Sequence, residues 1–200
     1  PSGVRCEYEG FAAAVDAKES ECLHEYVNNS AAILGTLPYP KEYERKNFKP
    51  PSYNAINILT YCASGYPIGI NIPNYDRIKM NVGFKNVSLT NIMASSSANA
   101  SSFPFLQPEQ AELLVKNAKE CLSFHVASHE LYGHGSATML KREDVVGKNV
   151  VDILNPDRFV TTYYADDAKY DEAFGAVASA FEECRAETTG YGAGDRPGVV

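Results

Sequence analysis

His129-Glu130-Leu131-Tyr132-Gly133-His134 is the stretch on which the reading of this chain depends. It is the metal-site motif His-Glu-x-x-His with one additional residue. In the four-spaced motif both imidazoles leave one face of a helix and reach one zinc, and the Glu beside the first His acts as general base. A spacing of five rotates the second ligand to roughly 140° from the first, taking 3.6 residues per turn. A regular helix would aim the two rings apart. The spacing therefore predicts a bulge or unwinding of about one residue between them, a π-type distortion of the kind found at functional sites. Gly133 is the residue type at which such a deformation costs least. Two unrelated histidines on one helix is the plainer alternative, and a second motif weighs against it.

That motif is Glu182-Glu183-Cys184-Arg185-Ala186-Glu187. A catalytic zinc takes three protein ligands and keeps a fourth position open for water, so two His need a third donor. Residues 171–188 read as a helix. Phe174, Val177, Phe181 and Cys184 form an apolar stripe on it, and Glu183 falls on roughly the opposite face with Ala176, Ser179 and Ala180 nearby. Small residues around a carboxylate let another helix approach and leave room for an ion. Two adjacent Glu are more commonly a solvated face. Here the small neighbours and the incomplete His pair favour Glu183 as the third ligand, with Glu130 as the base.

Together the two hexapeptides resemble the dipeptidyl peptidase III family of zinc exopeptidases, marked by His-Glu-x-x-Gly-His and by Glu-Glu-Cys-Arg-Ala followed by Glu or Asp. A third block is similar to the family's segment lining the peptide-binding cleft: Gly65-Tyr66-Pro67-Ile68-Gly69-Ile70-Asn71-Ile72-Pro73-Asn74-Tyr75-Asp76, then Gly83-Phe84-Lys85-Asn86-Val87-Ser88-Leu89. The resemblance runs from about residue 6 to residue 187. It implies an α+β fold, with a mostly helical zinc-binding lobe and a smaller β-containing lobe across a cleft. Mapped here, residues 17–54 and 101–200 fall in the helical catalytic lobe. Residues 1–16 and 55–100 fall in part of the β-containing substrate-binding lobe. The implied function is a zinc-dependent exopeptidase that releases dipeptides from the N-terminus of short peptides, with one zinc ion per chain held by His129, His134 and Glu183.

Further roles follow from that expectation. Glu182 is a candidate acceptor for an imidazole N–H, fixing a ligand's tautomer; an exposed helix residue is the alternative. Asn71 and Asn74 are candidates for holding a peptide's free α-ammonium through their side-chain amide oxygens, although two Asn beside a Pro are by themselves turn residues. The run through Gly65, Pro67 and Ile68 offers an edge to which an extended substrate can add as a strand. His125, one turn before His129, reads as a core or surface imidazole, since a fourth ligand would close the site. After the second His the chain has Gly135-Ser136-Ala137-Thr138 where the family commonly has Gly-Ser-Gly-Lys. The family's transition-state-stabilising Tyr precedes the matching segment, and its later His with basic residues follows Glu187. The expectation is therefore a truncated form with impaired activity. The alternative is a non-catalytic zinc-containing module that binds peptides or proteins.

Composition limits the other classes. The 200 residues are 44% apolar and 22% charged, with a net charge of −7, which is ordinary for a globular protein. A net negative charge without a basic run or finger pattern points away from nucleic acid as a partner. No apolar stretch reaches the ~20 residues of a membrane span. Five cysteines (Cys6, Cys22, Cys62, Cys121 and Cys184) make an odd number without a C-x-x-C pair, which favours reduced thiols and a cytoplasmic setting. Oligomeric state is not legible.

Along the chain, residues 9–34 read as one long helix or two short ones, burying Phe11, Val15, Cys22, Tyr26, Ile33 and Leu34. Gly35, Pro38 and Pro40 end it. Residues 41–54 read as a charged connector, 55–62 as a strand and 68–72 as a short edge strand. Residues 95–102 read as a loop. A helix runs from Pro108 to His134, and 145–164 is irregular. The glycine-rich tail from Gly190 carries no further element.

Overall fold

The computed structural model describes residues 10–46, 48–63, 65–72, 78, 82–95 and 103–194. Four strands form one sheet: β1 (Gly10–Val15), β2 (Ser52–Cys62), β3 (Gly69–Ile72) and β4 (Lys85–Leu89), in the order β1-β2-β4-β3. The long β2 is antiparallel to β1 and parallel to β4, and β3 lies at the edge, antiparallel to β4. β2 begins at Ser52, inside the stretch expected to be a connector. The expected edge strand is β3, and the Leu89 N–H extends its ladder by donating to the Ile68 carbonyl at 2.9 Å. β4 has no counterpart among the expected strands, because Asn86 and Ser88 interrupt its apolar pattern. Both are fully buried. The Ser88 hydroxyl donates to the Tyr53 hydroxyl at 2.9 Å, the sort of partner a buried polar group requires.

The stretch 9–34 is not helical throughout. Gly10–Val15 is a strand because β2 offers it a ladder from Gly10 opposite Cys62 to Val15 opposite Ile56. That pairing overrides the helix preference of three consecutive alanines. Phe11 and Val15 are consequently exposed, with Phe11 stacked on Tyr61 at 6.0 Å. Helix α1 (Ala17–Asn28) starts after Asp16, whose carboxylate caps it by accepting from the Glu19 N–H at 3.1 Å. Helix α2 (Ser30–Leu34) follows and buries Ile33, whereas Cys22 on α1 is exposed. Helix α3 (Thr90–Ser95) follows β4; the expected loop after Ser95 falls outside the described residues until 103.

Helix α4 (Pro108–Ser128) opens with Pro108 at its first position, where a missing N–H costs nothing, and with the Gln107 N–H donating to the Gln110 side chain at 3.3 Å. It passes directly into a π-helical turn, His129–Gly133. Beyond α5 (Arg142–Val145) the chain is irregular, as expected, with isolated bridges joining Lys141 to Tyr164 and Val151 to Phe159.

The helix expected over 171–188 is two: α6 (Tyr170–Phe174) and α7 (Ala178–Gly194). Between them Gly175 takes φ 56°, which breaks the helix and which glycine adopts without strain. α7 runs on through the glycine-rich stretch expected to be a tail. The expected apolar stripe is also not the buried one: Val177, just before α7, and Phe181 on it are 60% and 47% exposed, while Ala178, Ala186 and Ala193 are buried. Small residues won because α7 packs backbone to backbone against the π turn, and large side chains would hold the two apart.

The main core joins helices and sheet. It contains Leu23 and Val27 of α1, Tyr53 and Ala55 of β2, Phe84, Leu131 and Tyr132 of the π turn, and Ala193 of α7. Burying a side chain such as Leu131 stabilises by about 1.5–3 kcal/mol. Tyr26 ties α1 to the π turn, its hydroxyl 2.7 Å from Ser128 Oγ and its ring edge-on to Tyr132 at 5.1 Å.

Candidate metal centre

The π turn resolves the geometric problem of the five-residue spacing. The His134 N–H donates to the carbonyl of His129, five residues back, at 3.0 Å. The extra residue is absorbed there, and the Ser136 N–H returns to a four-residue step by bonding the Tyr132 carbonyl at 3.1 Å. The imidazoles of His129 and His134 thereby come to a centroid separation of 4.9 Å with their planes at 84°.

Gly133 serves this arrangement differently from the expectation. Its φ is not positive. A Cβ there would lie 2.5 Å from the Ala186 carbonyl oxygen and 2.8 Å from the Ala186 carbonyl carbon and Cα. The requirement is close approach of α7, not ease of distortion. Gly190 plays the matching part from α7, where a Cβ would lie 3.0 Å from the His129 backbone nitrogen. With the two backbones this close, short carboxylate side chains on α7 reach the imidazoles directly.

Glu183 Oε2 lies 3.3 Å from His129 Nε2 and 3.7 Å from His134 Nε2. One donor atom from each of the three residues falls within 4.8 Å of the others. The remaining ring nitrogens are also fixed. His129 Nδ1 is 2.8 Å from Glu187 Oε2, and His134 Nδ1 is 2.9 Å from Glu182 Oε1. A carboxylate facing Nδ1 favours the Nδ1–H tautomer, which leaves the Nε2 lone pair for a metal. The fit to zinc can be tested on distance. Two tetrahedral ligands at about 2.1 Å from one ion sit roughly 3.4 Å apart, close to the separations of Glu183 from the two rings. Two imidazoles and one carboxylate also match the composition of catalytic zinc sites.

Glu182 is clamped from behind. The Arg185 guanidinium donates Nε to Oε2 at 2.8 Å and Nη2 to Oε1 at 2.7 Å. Burial is the largest influence on the Glu182 carboxyl and pushes its pKa up. Hydrogen bonds from His134 and Arg185, with the Arg185 charge, outweigh burial and hold it at about 2. The acceptor facing His134 is thus permanently ionised at neutral pH.

Glu130 is buried, at 8% exposure. Edge strand β3 lies over it: a Cβ on Gly69 would meet Glu130 Oε1 and Val126 Cγ1, both at 2.8 Å. Asn71, two residues along β3, does not project freely from the strand. Its side-chain amide donates to Asn86 Oδ1 at 2.6 Å and to the Glu130 carbonyl at 3.4 Å, fastening β3 to the π turn. Asn74 lies outside the described residues. Gly65, Pro67 and Ile68 lead into β3, and Gly65 is exposed with nothing within 4 Å of a Cβ position. Their link to the cluster runs through Gly69 and Asn71.

Sequence reasoning singled out Glu182 as an acceptor for one imidazole without saying which, and it missed Glu187, Arg185 and Gly69; the structure places Glu182 at His134. The signal for Glu187 was present: it stands four residues after Glu183, on the same helix face as one ligand candidate. No such signal marks Gly69, whose role depends on which strand crosses Glu130. His125, expected to be a bland imidazole, has its Nε2 3.1 Å from Glu187 Oε1.

A family described as peptidase family M49 matches residues 1–196. Dipeptidyl peptidase 3 of Nematostella vectensis is 37% identical over 195 residues, covering 95% of this chain and 26% of that protein. Dipeptidyl peptidase 3 of Homo sapiens is 34% identical over 195 residues, with the same coverage of each. The chain thus spans about a quarter of the length of these relatives. Among solved structures, dipeptidyl-peptidase III from Corallococcus sp. strain EGB superposes with a TM-score of 0.66 at 21% identity, covering 92% of this chain and 31% of the other. DPP III from Caldithrix abyssi gives 0.62 at 21% identity, covering 91% and 32%. These two likenesses concern the fold.

Proposed function

The chain belongs to peptidase family M49, and on that premise we propose that it carries the zinc site of an exopeptidase that releases dipeptides from the N-terminus of short peptides. The observation that carries this reading is the convergence of His129 Nε2 and His134 Nε2 on Glu183, with each Nδ1 held by its own carboxylate. In the proposal His129, His134 and Glu183 hold one zinc ion. When bound, such an ion supplies Lewis acidity to a scissile carbonyl and lowers the pKa of a water towards ~7. Glu130 takes a proton from the attacking water and passes it to the leaving amine. Its burial beneath β3 keeps that carboxylate out of bulk solvent, where proton transfer is easier to direct.

The strand β3 is the substrate side of the proposal. It is an edge strand, and an extended peptide can add to it through backbone hydrogen bonds. Asn71 and Asn74 remain candidates for the peptide's α-ammonium, and the division into a helical part (17–54 and 101–200) and a β-containing part (1–16 and 55–100) belongs to the same reading. No helix among the described residues is long and apolar enough to cross a membrane. A cytoplasmic setting is part of the proposal.

Zinc content and turnover test it together. Protein purified without added metal is expected to hold about one zinc, and His134→Ala and Glu183→Ala to lose it. Glu130→Gln is expected to keep zinc while abolishing cleavage of a dipeptidyl-naphthylamide. Undiminished zinc in both ligand variants would overturn the metal assignment. Peptide binding without cleavage in the unaltered chain would favour the reading as a non-catalytic binding module.

A further inference from the structure

We propose that His125 is a positioning residue of the metal centre, acting through Glu187 on His129; the proposal rests on the zinc reading above. Three His of one helix and three Glu of the other interleave. Residues 125, 129 and 134 ascend while their partners 187, 183 and 182 descend. At one end of this ladder Glu182 is 17% exposed and is gripped by the two-pronged Arg185 guanidinium. At the other end Glu187 is 41% exposed and has no such fork among the described residues. Its two oxygens are shared between two imidazoles: Oε2 accepts from His129 Nδ1 at 2.8 Å, and Oε1 faces His125 Nε2 at 3.1 Å.

A half-exposed Glu with one hydrogen bond has water as a competitor and several rotamers to visit. Removing the imidazole that faces Oε1 at 3.1 Å frees the carboxylate to turn away, and His129 then loses the acceptor that fixes its tautomer and ring plane. His125 is itself held in place. Its ring lies against Tyr191, one turn beyond Glu187 on α7, at a centroid distance of 4.7 Å and an angle of 39°. The chain from Tyr191 through His125 and Glu187 to His129 therefore does on one side of the centre what Ser136, Arg185 and Glu182 do for His134 on the other.

The test is the rate at which zinc-loaded protein releases its metal to excess chelator, with a thermal melt of each variant. His125→Phe keeps a ring for Tyr191 and deletes the nitrogen that faces Glu187; His125→Gln keeps a donor and deletes the ring. His125→Phe is expected to release zinc about tenfold faster, the low end of the 10–100-fold typical of outer-shell partners. His125→Gln is expected to stay near the unaltered rate. In a Glu187→Ala background, His125→Phe is expected to add nothing. A Phe variant at the unaltered rate, a Gln variant as fast as Phe, or an undiminished Phe effect without Glu187 would each overturn the proposal. Failure of the underlying zinc reading shows separately, as His129→Ala and Glu183→Ala retaining zinc with unaltered release.

Discussion

Gly133→Ala places a methyl group where α7 already has backbone. The contact to the Ala186 carbonyl oxygen would be 2.5 Å, and ordinary van der Waals contact begins at 3.4 Å. The helices must therefore separate by about 0.9 Å, since the obstructing atoms are main chain and have no rotamer to change. Two effects compete. Alanine gains up to ~1 kcal/mol over glycine in a helix, while overpacking costs about 1–3 kcal/mol. The second wins by a small margin in stability and by a larger one at the site. α7 carries Glu182, Glu183 and Glu187, so the shift stretches the hydrogen bonds at 2.8 Å and 2.9 Å that hold the two imidazoles past useful length. Zinc affinity is expected to fall by roughly 10–100-fold, as for loss of an outer-shell partner. The assay is competition with a chromophoric chelator, read beside thermal melts. Gly192→Ala is the control, because it adds the same methyl to α7 at a position with nothing within 4 Å. It is expected to leave zinc affinity unchanged and to stabilise by about 0.5–1 kcal/mol. Unaltered zinc affinity in Gly133→Ala, or an equal loss in Gly192→Ala, would refute the close-approach reasoning.

Three other perturbations address separate links. Arg185→Lys removes the planar fork from Glu182 while keeping the charge; chelator competition is expected to show weaker zinc binding, because an ammonium cannot donate in parallel to both oxygens. Tyr53→Phe strands the buried Ser88 hydroxyl and is expected to cost about 1–3 kcal/mol in denaturant unfolding, partly recovered by adding Ser88→Ala. Burial, offset in part by the hydrogen bond with Ser128, pushes the Tyr26 phenol up to about 12 from 10.0. The unfolded chain then releases that proton first, so stability is present below pH 10 and declines as pH rises from 10 towards 12. Melts across that range are expected to show a smaller decline in Tyr26→Phe.

The clustering of His129, His134 and Glu183 was legible because it depends on residue identity and local spacing. A five-residue step between two His lets them serve one ion only if the helix takes up a residue, and the π turn at His129–Gly133 does so. The adjacent pair Glu182 and Glu183 carried the other half, and Glu187, four residues after Glu183, was overlooked although α7 keeps that spacing as a physical distance. Strand β2 and the helix from Pro108 were legible for the same reason: pattern and caps are local.

What the sequence left open depended on partners distant along the chain. Gly10–Val15 has the composition of a helix and is a strand because β2 lies beside it. Val177 and Phe181 look like a core stripe and face outward, because α7 turns its alanines and Gly190 to the π turn. Gly133 looked like a site of easy bending and is a site of contact. By itself, then, the sequence pointed to the candidate donors and to the distortion that the five-residue His spacing demands, the latter following from bond geometry within one helix. The tertiary structure alone decided which face of α7 meets the π turn, and so which carboxylate serves each imidazole, because that choice rests on how closely two backbones can approach.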